Sequence, residues 1–117
     1  MTYVDGFVLA VPKANKAAYL NHAKASAPIF KKYGAERVVE CWGDDVPDGE
    51  ATSFPMAVKL KPDEVVVFSW IIWPSKAARD RGMEEAVKDP FFEAEGARMP
   101  FDGKRMIFGG FETIMDE

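Results

Sequence analysis

The stretch EVVVFSWIIW, residues 64–73, decides the fold. Successive strand side chains point to opposite faces, so a half-buried strand alternates apolar and polar residues. Here both sets of alternate positions are apolar, and Ser69 is the one polar group in the interior. β-branched and aromatic residues fill it, and Pro62 and Pro74 bound it. This is the pattern of a central strand covered on both sides.

Working upstream, residues 35–43, AERVVECWG, read as another strand with β-branched residues in its middle. Between the two, residues 44–55 carry Pro47, Gly49 and Pro55 and read as a loop. MAVKL, 56–60, is short and reads as a strand or a helical turn. Further upstream, YVDGFVLAVP, 3–12, is a strand that stops at Pro12. Residues 13–33 form a helix with a stripe of Ala17, Leu20, Ala23, Ala27 and Phe30, stopped by Gly34. Pro28 lies inside it and is expected to kink the helix or restart its last turn.

Downstream, Ser75 is the expected N-cap of a helix with a thin stripe of Ala78, Gly82, Met83 and Ala86. Asp89-Pro90 ends it, and residues 91–104 are irregular with one helical turn expected around Phe92–Ala97. RMIFGGFETI, 105–114, is the last strand, its Gly109-Gly110 pair marking a bulge or a close backbone approach. The order β-α-β-β-α-β is the ferredoxin-like split βαβ pattern of an α+β protein. Right-handed crossovers put both helices on one face of a four-stranded antiparallel sheet, as one domain over residues 1–117.

The expected helix-covered face takes the smaller residues of the first strand, Val4, Gly6, Val8 and Ala10, with Cys41 beside them as a core residue. The bare face then carries Asp5, Glu40 and Glu112 among Tyr3, Phe7, Trp42, Met106 and Phe108. So apolar a patch calls for a second copy, a ligand, or both. Asp5 and Glu40 are the candidate catalytic acid/base groups, because covered carboxylates rise in pKa. Phe7, Trp42 and Phe108 are candidate ligand-binding walls, and Arg105 is a candidate anion anchor.

Other chemistries are disfavoured. With 15 basic against 19 acidic residues, the net charge of −4 argues against nucleic acid as partner. No apolar run reaches the roughly 20 residues of a membrane-spanning helix. A single cysteine fits a reducing compartment, and with no leader-like segment the expectation is a cytoplasmic protein. The single histidine, His22, points away from the expected helix stripe and reads as a solvated residue. Asp44, Asp45 and Asp48 miss the spacing of a calcium loop, and Val46-Pro47-Asp48-Gly49 reads as a type I turn. Neither a metal nor a cofactor is expected.

Four stretches, YVDGFVLAVP, VVECWGDDVPDG (38–49), FSWIIWP (68–74) and MPFDGKRMIFGGFE (99–112), resemble the YbaA-like family of small bacterial proteins of unknown function. The resemblance spans the chain and implies a dimeric α+β barrel, in which two ferredoxin-like sheets pack face to face. That superfamily includes cofactor-free monooxygenases, haem-degrading enzymes and isomerases. The Asn, Trp and His set of its haem-degrading members is not carried over, because the first strand offers Asp5 in place of asparagine and His22 lies on the first helix. Three readings follow: a homodimer binding a small molecule between sheet and helices or inside the barrel, a cofactor-independent monooxygenase- or isomerase-like enzyme using a carboxylate, or a non-catalytic structural dimer.

Overall fold

The computed structural model describes residues 1–95 and 99–117. Four strands, β1 (Tyr3–Pro12), β2 (Arg37–Trp42), β3 (Glu64–Trp73) and β4 (Ile107–Glu112), form one antiparallel sheet in the order β2-β3-β1-β4. The central position read for residues 64–73 is the observed one: β3 pairs with β2 on one side and along its whole length with β1 on the other. Helices α1 (Lys16–Lys32) and α3 (Lys76–Ala86) lie on one face. The molecule is only 21 Å through its thinnest dimension, as two layers require.

Local chemistry places these elements. Gly34, at φ +116°, ends α1: its N–H reaches the Lys31 carbonyl and the Ala35 N–H reaches that of Phe30, which is the paired-bond helix stop glycine favours. The Ser75 hydroxyl accepts from the Ala78 N–H at 3.1 Å and starts α3 as expected. The assignment of α1 runs through Pro28 without a break, so the last turn does not restart. Residues 54–57 form the short helix α2 (Phe54–Ala57), one of the two forms read for that region. A further turn, α4 (Pro90–Glu95), begins two residues before the expected one, whose residues 96 and 97 lie outside those described. Residues 46–49 form no hydrogen-bonded turn; the chain bends at Asp44–Asp45 instead, and Gly49 takes φ +66°. The glycine pair is no bulge, since the β1–β4 register is continuous. It is a close approach: a Cβ on Gly110 would lie 2.6 Å from the Tyr3 hydroxyl oxygen and against the Arg79 guanidinium.

The sequence grouped the right residues on one sheet face and assigned that face to the wrong side. Asp5, Ile71 and Val38 stand in one row across the sheet, Phe108, Phe7, Ser69 and Glu40 in the next, then Leu9, Val67 and Trp42. That face is covered by helices: Leu9, Val11 and Val67 pack on Tyr19 of α1, and Arg79 of α3 reaches Asp5. The reason is size matching. The inner faces of the helices carry Ala23, Ser26, Gly82 and Ala86, so they accept the larger sheet residues. The smaller set is on the other face. There α2 and the residues after it cover one end, where Val58 packs on Ala10 and Val66. Elsewhere Phe68, Ile107 and Phe111 stay 41%, 45% and 62% exposed. Cys41 is on this open face and exposed, so the core position expected for it is wrong.

Arg105 clamps the lower end of the sheet. Its guanidinium donates to both carboxylate oxygens of Glu64 at 2.7 and 2.6 Å, to Asp102 at 3.0 Å and to the Lys59 carbonyl at 3.0 Å. Lys59 itself sits at φ 51°, where a non-glycine residue is strained. These hydrogen bonds, Arg105 first, hold the Glu64 carboxyl below the usual range, and burial works against them only in part. With its donors so engaged on protein acceptors, Arg105 serves as a structural clamp. Arg105→Ala should lower the melting midpoint by on the order of 10 °C near pH 7, because it strands a carboxylate whose side chain is 4% exposed. A depressed carboxyl pKa contributes stability that is lost as pH falls. The gap between Arg105→Ala and wild type should therefore narrow on titration below the ordinary glutamate range of 4.5; a gap independent of pH in thermal denaturation argues against the clamp.

Candidate functional site

A cavity of about 150 Å³ lies between α1 and the sheet. Its α1 wall is Tyr19, His22, Ala23, Ser26 and Phe30, spaced as one face of a helix. The sheet floor is Phe7, Leu9, Val38, Glu40, Ser69 and Ile71. Phe92, Met99, Phe101 and Met106 close the remaining side. The lining is chiefly apolar, with a few polar groups converging in it, as small-molecule sites are built.

The polar centre is the pair Tyr19–Glu40. The Tyr19 hydroxyl donates to Glu40 Oε1 at 2.6 Å. Ser69 is the direct cross-strand neighbour of Glu40. Burial raises the Glu40 carboxyl above its ordinary range, and the Tyr19 hydrogen bond and the nearby Ser69 hydroxyl oppose this only in part. Burial, then the adjacent Glu40, pushes the Tyr19 phenol far up, so it stays a proton donor at any physiological pH. Glu40 lies on the edge strand β2 and is exposed to solvent on its outer side. A smaller cleft of about 80 Å³, lined by Lys16, Leu20, Cys41 and Trp42, meets the same pair from the other side.

His22 joins them. Its ring centroid lies 6.1 Å from that of Phe91 and 6.4 Å from that of Phe101. Its Nδ1 is buried and has no hydrogen-bond partner among the described residues. The solvated histidine read from sequence is thus a cavity residue. The expected stripe was right at Ala23 and Phe30 and wrong at its start: Ala17 and Leu20 are exposed, and Tyr19 and Ser26 are buried. Counting Tyr19 as an inward residue would have brought His22, three positions on, to the same face.

Of the residues proposed from sequence, the cavity collects Glu40 and Phe7. Asp5 is buried one row away, outside the lining. It accepts from Trp73 Nε1 at 2.9 Å and lies 3.4 Å from Arg79 Nε. Burial raises its pKa against those two partners, and the three together form a structural knot that ties α3 to the sheet. Trp42 borders the smaller cleft, with Lys16 Nζ 5.3 Å above its ring. Phe108 is 72% exposed at the β4 edge and meets Phe7 with ring centroids 6.4 Å apart. Glu112 is exposed on the same edge.

Comparison with known proteins fits this picture. The family described as "Protein of unknown function (DUF1428)" matches residues 2–103. The chain belongs to the DUF1428 family. This DUF1428 chain is 57% identical, over 117 residues and the full length of both, to the uncharacterized protein YbaA of Escherichia coli K12 and to that of Shigella flexneri. Among solved structures it is similar to SnoaB, a cofactor-independent oxygenase from Streptomyces nogalater. That likeness has TM-score 0.62 and 14% identity over 98% of this chain and 95% of that one. It is also similar to an uncharacterized NIPSNAP domain protein from Burkholderia xenovorans, with TM-score 0.63 and 16% identity over 98% and 99%. At such identities the likeness establishes the fold, the four-stranded α+β class expected from the sequence, and leaves the chemistry to the site. Among the described residues, no helix is long and apolar enough to cross a membrane.

The raised Glu40 pKa has a testable sign. The folded state resists ionising this group, so its contribution to stability is present at low pH and is lost as pH rises above 4.5. Glutamine keeps an acceptor for Tyr19 and cannot ionise. Glu40 is exposed and solvent screens it, so Glu40→Gln should gain only about a degree in melting midpoint over wild type on going from pH 4 to pH 8, and a shift of the opposite sign in scanning fluorimetry rejects this.

Proposed function

We propose that this protein is a homodimer that binds a small, largely apolar molecule in the cavity between α1 and the sheet. The observation that carries the reading is the cavity itself: an apolar space of about 150 Å³ whose wall is broken by the Tyr19–Glu40 pair. Glu40 is the acid/base group of any reaction there, since partial burial raises its proton affinity and Tyr19 holds it in place. Phe7 supplies a wall. Asp5, engaged with Trp73 and Arg79, takes no part. The fold shared with a cofactor-independent oxygenase supports, by analogy alone, a monooxygenase- or isomerase-like reaction run by Glu40.

The dimer is supported by the open sheet face, where Phe68, Ile107 and Phe111 form an apolar surface of the kind a second copy covers. The single cysteine supports a cytoplasmic location.

Two measurements test this. A thermal-shift screen against metabolites, aromatic acids and haem should give at least one compound that raises the midpoint, because a ligand binding only the native state stabilises it. No shift from any compound moves the reading to a non-catalytic structural dimer. Light scattering at micromolar concentration should give about twice the 13.0 kDa chain mass, and Phe111→Asp should return it to the monomer; a wild-type monomer ends the dimer proposal.

A further inference from the structure

We infer that the ligand of this cavity is a one-ring aromatic compound carrying a neutral hydroxyl group, a phenol, and that His22 Nδ1 and Glu40 read that hydroxyl. The inference rests on the cavity being the binding site and names what enters it.

Size sets the first limit. An apolar protein cavity of about 150 Å³ takes a molecule the size of benzene, and this one has that volume. The walls set the shape. Phe7, Phe30, Phe92 and Phe101 border the space, and rings prefer to meet rings in offset or edge-on contact.

The polar wall sets the chemical class. His22 borders the cavity, and its Nδ1 is buried with no partner among the described residues, so a turn of the ring brings that nitrogen to a ligand. A hydrocarbon entering here would leave it unmet, at the cost of a buried polar group without a bond. A carboxylate would be brought against Glu40, a like charge. An ammonium would give up its hydration to an apolar lining. A hydroxyl avoids these costs. It donates to Nδ1 when Nε2 carries the imidazole proton, and accepts from Nδ1 in the other tautomer. With Nδ1–H as the donor to the hydroxyl oxygen, the one hydroxyl proton goes to the Glu40 carboxylate, which also accepts from Tyr19 at Oε1.

The test is isothermal titration with four probes of one shape: p-cresol, p-xylene, p-toluate and 4-methylbenzylamine. p-Xylene replaces the hydroxyl of p-cresol with a methyl group and changes little else. p-Cresol is expected to bind wild-type protein at least tenfold more tightly than p-xylene. His22→Phe should keep p-xylene binding and bring the ratio to within about threefold; His22→Ala serves if the phenylalanine variant does not fold. If p-xylene matches p-cresol in wild type, or either charged probe binds best, the phenol assignment is wrong and the cavity reading stands. An undiminished ratio in both His22 variants removes His22 from the assignment. If none of the four binds, the assignment falls. The metabolite screen then decides the cavity reading separately.

Discussion

Trp73→Ala should remove about 3–5 kcal/mol of stability, the range for emptying a buried tryptophan site. Trp73 has no exposed surface, and its ring packs with Ala35 and Ile71 under α1 and α3. Its Nε1–H also donates to Asp5, a carboxyl that is 7% exposed. Truncation thus opens a cavity and takes a hydrogen bond from a buried acid. Against a total of roughly 5–15 kcal/mol for a domain of ordinary stability, the loss is severe. Trp73→Phe separates the two effects, keeping much of the packing and losing the donor. Urea denaturation should place it between alanine and wild type. Its deficit should shrink as pH falls, because the Asp5 pKa is already raised by burial and protonation relieves the stranded charge. A loss below about 1 kcal/mol for the alanine variant would contradict the central place given to this ring.

Trp73 also shows why some of the fold was legible in the sequence and some was not. Its strand is one uninterrupted apolar run between prolines, and such a pattern fixes both existence and central placement. All four strands and both main helices could be read this way, because breakers sit between them and N-caps or glycines mark their ends. The sidedness of the sheet could not. Alternation groups Asp5, Glu40 and Phe7, and then leaves a binary choice that depends on the partner helices. Small residues in a strand invite a close helix only if the helix brings large ones. Here the smallness is on the helices, at Ala23, Ser26 and Gly82. The site suffered from the same ambiguity at the level of one helix. Tyr19 is amphipathic, and a stripe drawn through Leu20 without it turned His22 toward solvent. The clamp at Arg105 was not legible for a different reason. Its partners Glu64 and Lys59 are more than forty positions away, and no local spacing announces a long-range clamp.

Gly82→Ala should destabilise the protein by about 1–3 kcal/mol, the cost of inserting a methyl into a filled site. At an exposed position in a helix the same change would stabilise by about 1 kcal/mol, so the sign itself is diagnostic. The built Cβ lies 2.3 Å from Trp73 Cζ3 and 2.6 Å from the Tyr33 carbonyl oxygen. Neither neighbour yields easily. Trp73 is fully buried and anchored at Asp5, and Tyr33 caps α1, its own hydroxyl donating to Asp89 at 3.0 Å. Glycine is therefore what lets α3 come down onto the end of α1, and that contact sets α1 over the sheet where it forms one wall of the cavity. The two substitutions should be coupled. Trp73→Phe removes the outer ring atoms that the added methyl would strike, so the double variant should lose less than the sum of the single variants by at least about 1 kcal/mol. Relief stays partial, because the Tyr33 carbonyl is still in the way. Additive losses in the urea cycle would mean that α3 slides clear of Trp73 as a unit, and that the glycine is not what fixes the helix spacing.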